Sequence, residues 1–267
     1  MPDPGLCWID GRVAPVHEPL LRVDDGAFLE GRGCYSTGRW TGHGLRFATR
    51  HAARLARDAR ALGIGPVDPA LALHAAHELG VAAFGAGEGV IRLQVSRAAE
   101  GGVRLVALAR ALGSEPAVWR AVTLPFPHPG ATPWAGAKIS NRLLHALAGD
   151  RARAAGVEEA LLFDADDRLV EGARANLVFV GEDGVARVPP AARGAVAGVA
   201  LAVVRESVAG LAEGDCAREQ LASLGELVAL NAVRGAVAVV AIDGRPVGGG
   251  APGPWARRLR DALDAGQ

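Results

Sequence analysis

Position 138 holds the only lysine in 267 residues; every other basic side chain among the 29 is an arginine. Where positive charge alone is needed, arginine serves. A position that stays lysine therefore invites a chemical reason. An amine can lose its proton and attack carbon, whereas a guanidinium stays protonated in proteins. Amine nucleophiles form Schiff bases with carbonyls, pyridoxal phosphate among them. The plain alternative is a lysine left by chance on a solvated surface, and the count alone leaves the two readings even.

The surroundings of Lys138 favour chemistry. It sits in GAKISNRLLHAL, at the end of a loop and just before a helix, which puts its amine on a rigid edge. Further along, in LVEGARANLVFV, Glu171 ends one strand and Asn176 begins the next. A carboxylate at a strand end is usually solvated or salt-bridged. Beside a lysine-bound pyridoxal it has another task, keeping the ring nitrogen protonated and the ring an electron sink. Gly198 precedes an apolar helix, so the N–H groups of Val199 and Ala200 can face an anion at its N-terminus. Arg54, in RHAARL, carries a guanidinium suited to bidentate phosphate binding. Taken singly, these two features read more simply as a glycine-initiated helix and a solvated helix arginine.

The elements that must position these groups are mixed. CWIDGRV (7–13) reads as a strand with a turn at Asp10–Gly11. Thr49 reads as the cap of HAARLARDARAL, with Leu55, Ala59 and Leu62 at helical spacing and Gly63 and Gly65 ending the run. A second apolar helix is expected over 69–84. GVIRLQVSR and VRLVALAR alternate around the turn AAEGG, as a hairpin does. GSEPAV (113–118) reads as a linker, which places a domain boundary between 114 and 115. Beyond it, WRAVTLPF, EALLF, RLVEG, ANLVFV, GVARV, LVALNAV and VAVVAIDGRPV read as strands. Helices are expected over 141–155, from Gly198 to Leu211, and at PGPWARRLRDAL. Strands and helices mix without regular alternation, so the fold class is α+β.

Read in order, GRGCYSTGR (31–39), HAARL (51–55), KISNRL (138–143), EGARANLVF (171–179), AGVA (197–200) and NAVRG (231–235) resemble the motifs of the class IV aminotransferase family, the fold-type-IV pyridoxal phosphate enzymes. The resemblance spans nearly the whole chain. It implies a small N-terminal α/β domain (1–114), a larger C-terminal domain with a barrel-like sheet (115–267), and pyridoxal 5'-phosphate held between them. Lys138 would be the Schiff-base lysine and Glu171 the partner of the pyridine nitrogen. Arg54 and the backbone of Val199 and Ala200 would bind phosphate, and Asn231 and Ala232 would close the phosphate cup. Members of the family are usually homodimers, with partner residues in each site.

The sequence also departs from the family. Many members carry Thr where this chain has Ala200, and Thr or Ser where it has Ala232, so phosphate would lean on backbone N–H groups and Arg54. Branched-chain transaminases place Tyr five residues after the lysine; here it is Leu143. The K-x-x-N-x-L form is similar to aminodeoxychorismate lyases and D-amino acid transaminases. The resemblance thus implies 4-amino-4-deoxychorismate lyase first, releasing pyruvate and 4-aminobenzoate for folate synthesis, with an amino acid aminotransferase of branched-chain or D-amino acid type as the alternative. A non-catalytic homologue acting as a scaffold is the rival from another class. Tyr35, the only tyrosine, stands in the motif where the family has F-E-T and is expected to line the substrate pocket. Arg39, Arg142, Arg174 and Arg234 are the candidates for holding a substrate carboxylate.

The whole chain sets bounds on these readings. Charge is balanced, 29 basic against 29 acidic, which gives no footprint for nucleic acid or an anionic membrane. Cys7, Cys34 and Cys216 are far apart and odd in number, so neither a disulfide framework nor a zinc motif fits. No apolar run reaches the ~18 residues of a membrane span, and MPDPGLCWIDGR is no signal peptide; a cytoplasmic protein is expected. His74 and His77 lie one helical turn apart, but no carboxylate or third histidine is expected to complete a metal site there.

Overall fold

Asp10 and Gly11 adopt φ of 51° and 82°, the backbone of a two-residue hairpin turn whose twist matches its strands. In the computed structural model, which describes residues 4–18 and 21–266, that turn joins β1 (Leu6–Ile9) to β2 (Arg12–Pro15). The first three residues of the N-terminal segment read above lie outside the described residues. The chain divides into two compact units: one runs through Ser114 and also takes Ala137–Asn141, the other comprises Glu115–Gly136 and Arg142 onward.

The first unit continues with a single turn, α1 (Gly26–Leu29), and β3 (Gly33–Trp40). Helices α2 (Ala48–Ala61) and α3 (Pro69–Phe84) follow, then the hairpin of β4 (Gly89–Arg97) and β5 (Val103–Ala111). The five strands form an antiparallel sheet in the order β2-β1-β5-β4-β3. One face carries Trp8, Trp40, Ile91 and Leu93, and Leu55 and Ala59 of α2 with Ala76 and Leu79 of α3 close over it. Thr49 is not the cap of α2. The helix begins at Ala48, and the N-cap is Phe47 in the left-handed region at φ 56°, with no side-chain capping bond. The Phe47 ring is buried, so packing holds the chain at this corner where a hydroxyl was expected to.

The second unit holds β6 (Trp119–Thr123), α4 (Leu143–Ala154), β7 (Glu159–Phe163), β8 (Leu169–Gly172) and β9 (Asn176–Val180). Next come β10 (Ala186–Val188), α5 (Val199–Ser207), β11 (Leu211–Glu213), β12 (Glu226–Asn231), β13 (Gly235–Ile242), β14 (Arg245–Pro246) and α6 (Pro254–Ala265). Its nine-stranded mixed sheet runs β11-β10-β9-β12-β13-β6-β7-β8, with β14 on β13. This sheet has to curl. β8 and β9 stand five places apart in that order, about 24 Å if the sheet were flat. Yet only residues 173–175 join them, and a link that short spans at most about 15 Å. The Gly172 N–H donates to Ala175 O at 2.8 Å, inside the link itself. The barrel-like curl follows from chain length alone.

Two helices differ from their expected spans. α5 stops at Ser207, because Val208 turns extended and Gly210 takes φ 82° to lead into β11. α4 starts at Leu143 and not at Asn141, because Asn141 belongs to the strap that joins the first unit.

Candidate cofactor site

In the first unit, Lys138 is placed by its backbone. Its carbonyl accepts the Tyr35 N–H at 2.9 Å, Ile139 bridges to Cys34, and the Ser140 N–H donates to Gly33 O at 2.8 Å. Residues 137–141 thus lie along the outer edge of β3. Asp58 of α2, 1% exposed, accepts the Lys138 N–H on Oδ2 at 2.9 Å and Nη2 of Arg57 on Oδ1 at 2.7 Å. Lys138 Nζ lies 5.0 Å from the centroid of the Tyr35 ring, and Cζ of Arg92 lies 3.7 Å from the same centroid. Arg92 Nη2 donates to Gln94 Oε1 at 2.6 Å. An amine, a guanidinium and the chain's one tyrosine therefore meet in a cationic corner suited to a carboxylate.

Arg54 is buried and donates from Nη2 to Ser36 Oγ at 2.7 Å. That leaves the Ser36 hydroxyl proton for His51 Nδ1, 2.7 Å away. Burial, and then the charges of Arg54 and Lys138, push the His51 pKa well below the usual imidazole value, so the ring stays neutral with its proton on Nε2. Burial also lowers the Arg54 pKa to about 10, against the pull of Asp58; the guanidinium stays charged at neutral pH. Its Nε finds no hydrogen-bond partner among the described residues. A buried cation with an unused donor is chemically incomplete, and a phosphate oxygen would complete it.

In the second unit Glu171 is 3% exposed and held by its side chain. Oε2 accepts the Val196 N–H at 3.0 Å, and Oε1 stands 3.0 Å from Nε2 of His145. Nε2 of His128 lies 3.8 Å from the same oxygen, too far for a hydrogen bond but within electrostatic reach. Burial, first, lowers the His128 pKa, partly opposed by Glu171. The three groups are close enough to touch one metal ion. However, the Gly130 N–H donates to Nδ1 of His128 at 3.0 Å, so the neutral ring keeps its proton on Nε2, the nitrogen an ion would need. A metal-bound histidine normally does the reverse, donating from its far nitrogen. The arrangement suits proton sharing with Glu171.

The same unit builds an N-terminus for an anion. Gly198 caps α5 in extended conformation with no side-chain capping bond, and Val199 and Ala200 are both buried. A Cβ on Gly198 would come 1.9 Å from Asn176 Oδ1. Asn176 in turn donates from Nδ2 to Val196 O at 2.8 Å, so one side chain fixes the approach to the helix and requires the glycine. Buried helix N–H groups without a cap are an anion seat. Asn231 spends its side chain on its own turn, Oδ1 accepting from Val233 N and Arg234 N at 3.0 and 2.8 Å. Ala232 is buried beside it.

The arginines offered for a substrate carboxylate differ in their engagement. Arg39 is bound through Nη2 to both oxygens of Glu88 at 2.7 Å. Arg174 is tied to Glu115 at 2.8 Å and to Glu158 O at 2.8 Å, and stacks on Trp119 at 4.4 Å. Arg234 reaches the same Glu115 at 3.3 Å, and Arg142 donates to Ala173 O at 3.4 Å. Arg92 was not among the candidates, yet it is the one beside Tyr35 and Lys138. The alternation of Arg92 and Gln94 along β4 was a usable signal. Asp58 was also passed over, though it stands one helical turn from Arg54. Nothing in the sequence marked His128 or His145. Cys34 is buried, and burial pushes its thiol up to about 12. Glu78 does stand by His74, at 3.1 Å, contrary to the expectation of no carboxylate there; His77 turns its ring to Trp40, 5.8 Å between centroids.

The α+β frame with its curled sheet is that of the fold-type-IV aminotransferases. Residues 33–242 match the family model of class IV amino-transferases, and the chain belongs to that family. It is a pyridoxal-phosphate-dependent enzyme. Branched-chain aminotransferase from Thermoproteus uzoniensis, solved with norvaline, is 24% identical with a TM-score of 0.83, over 97% of this chain and 93% of that one. The branched-chain amino acid aminotransferase of Escherichia coli is 22% identical with a TM-score of 0.82, over 98% and 93%. A hypothetical aminotransferase from Mycobacterium tuberculosis, bound to α-ketoglutarate and PMP, is 22% identical with a TM-score of 0.84, over 98% of each chain. No curated protein matches the sequence. Among the described residues no helix is long and apolar enough to cross a membrane.

Proposed function

We propose that this enzyme is an aminotransferase acting on an α-amino acid, with Lys138 as its catalytic amine. The observation that carries the reading is the cationic corner of the first unit, where Lys138 Nζ and the Arg92 guanidinium approach one tyrosine ring. Arg92 is the group to receive the substrate α-carboxylate, bidentate and charge-assisted. Lys138 Nζ supplies the amine that would hold the cofactor and, once released, takes the proton from the substrate Cα and delivers it to the carbon that receives the amino group. Bound pyridoxal phosphate supplies an electron-withdrawing ring that makes that proton removable. Arg54 Nε and the N–H groups of Val199 and Ala200 would hold its phosphate, and Glu171 its ring nitrogen. Tyr35, buried against the amine, limits where the lysine side chain can travel.

A lyase acting on 4-amino-4-deoxychorismate is the second reading. The K-x-x-N-x-L segment favours it, with Leu143 and no phenol five residues after the lysine. The first test is borohydride reduction of cofactor-loaded protein followed by peptide mapping, with the label expected at Lys138. A label elsewhere, or none, removes both readings. The two then part on products. The aminotransferase turns over an amino acid to its keto acid beyond one equivalent only with a keto-acid acceptor present, whereas the lyase yields pyruvate from aminodeoxychorismate repeatedly without one.

A further inference from the structure

Glu171 is surrounded in a way that its partnership with a ring nitrogen does not explain. One oxygen is taken by a backbone N–H, and the other faces two imidazoles from different elements, His145 on α4 and His128 in the loop after β6. The rings meet edge to face, 6.2 Å between centroids. We propose that His145, backed by His128, is a positioning residue for Glu171, fixing the carboxylate's orientation and making its hold on the ring nitrogen of pyridoxal phosphate depend on pH. This rests on the cofactor reading above.

His145 can be either a neutral donor or a cation. Neutral, it gives Oε1 one N–H and leaves the full negative charge on Glu171 for a protonated ring nitrogen. Protonated, it sets a positive charge 3.0 Å from that oxygen, which competes with the ring N–H for the same carboxylate. His128 cannot take over this part. Its Nδ1 is occupied by the Gly130 N–H and it is buried, so it remains a neutral N–H turned toward Oε1. Other charges facing the cluster are few. Asp164, at the end of β7, acts on His128 and is itself paired to Arg193 at 2.7 Å. Arg142, at the start of α4, donates to Ala173 O. His145 is the partly exposed member of the triad, 20% against 6% for His128 and 4% for Glu171 by side chain.

The test measures pyridoxal phosphate affinity by equilibrium dialysis between pH 5.5 and 8, for the unaltered protein, His145→Gln and His145→Leu. Glutamine keeps an N–H donor but cannot become a cation; leucine keeps neither property. At pH 8, His145→Gln is expected within about threefold of the unaltered protein, and His145→Leu about tenfold weaker. Between pH 8 and 5.5 the unaltered protein is expected to lose about tenfold more affinity than His145→Gln. If His145→Gln follows the unaltered protein across this range, the proposal is overturned. Should the leucine variant fail to fold, the glutamine comparison decides alone. If the unaltered protein takes no borohydride label at Lys138, the cofactor reading falls and this inference falls with it; a label there with parallel pH curves sinks only the inference.

Discussion

Lys138 and Glu171 are mounted in opposite ways. Lys138 is seated through its main chain, by Tyr35, Gly33, Cys34 and Asp58. Glu171 is fixed through its carboxylate, by Val196, His145 and the more distant His128. A group that must attack, let go and carry a proton needs a rigid root and a mobile tip. A group that must face one atom throughout a reaction needs its tip held. Hydrogen bonds hold the main chain of Lys138 in one case and the carboxylate of Glu171 in the other.

This contrast can be broken most decisively at the lysine. Lys138→Arg should abolish turnover, by about 10³-fold or more, yet shift thermal unfolding little, since the substitution keeps the bonds made by the N–H and carbonyl of residue 138. A large fall in Tm would mean that the side chain is structural. Glu171→Ala should do the reverse to the fold. It leaves the Val196 N–H and the His145 imidazole without their acceptor, and urea titration should register a loss of about 2–4 kcal/mol. Asp58→Ala sharpens the lysine side of the comparison: with the Lys138 N–H left without its acceptor, a loss of about 1–3 kcal/mol is expected, and Asp58→Asn, which retains an acceptor, should recover most of it.

A third buried group tests the rule from outside. Glu159 on β7 is 1% exposed, and one of its oxygens lacks a hydrogen-bond partner among the described residues. Burial raises its pKa from 4.5 to about 7, against weaker pulls from backbone N–H groups and Arg174. A carboxyl whose folded pKa exceeds its unfolded value favours folding while protonated. Its contribution is therefore full below about pH 4.5 and lost as pH rises toward 7. Glu159→Gln should remove that dependence, so that its stability relative to the unaltered protein improves by up to about 3 kcal/mol between pH 5 and pH 8. Parallel stability curves would refute the assignment. The smallest effect is expected at Arg39→Ala. Its partner Glu88 is half exposed by side chain, so the pair contributes under about 1 kcal/mol, and KM for the amino donor should stay within about twofold; a tenfold rise would return Arg39 to the substrate.

The motifs around Lys138, Arg54, Glu171 and Gly198 were legible because each combines a residue type with an element boundary: a loop before a helix, a strand end, a glycine at a helix start. The strands and helices were legible where alternation was sustained, as in β4 and β5, or where an apolar run was long, as in α3. What escaped was non-local. Asp58 meets Lys138 across a separation of 80 residues, and His145 meets Glu171 across 26. Neither pairing leaves a periodic trace in the chain. Phe47 at the head of α2 escaped for a related reason. Its left-handed backbone is stabilised by burial of its ring, and local cap preferences do not register burial.

The strap over residues 137–141 has a consequence for how the chain can be cut. It covers the outer edge of β3 at Gly33–Tyr35, which would otherwise present unpaired N–H and C=O groups to solvent. A fragment ending near Ser114 would lose Lys138 and also uncover that edge. Such a fragment would expose a ready template for strand addition by other copies, and it should self-associate through an edge that the intact chain keeps covered.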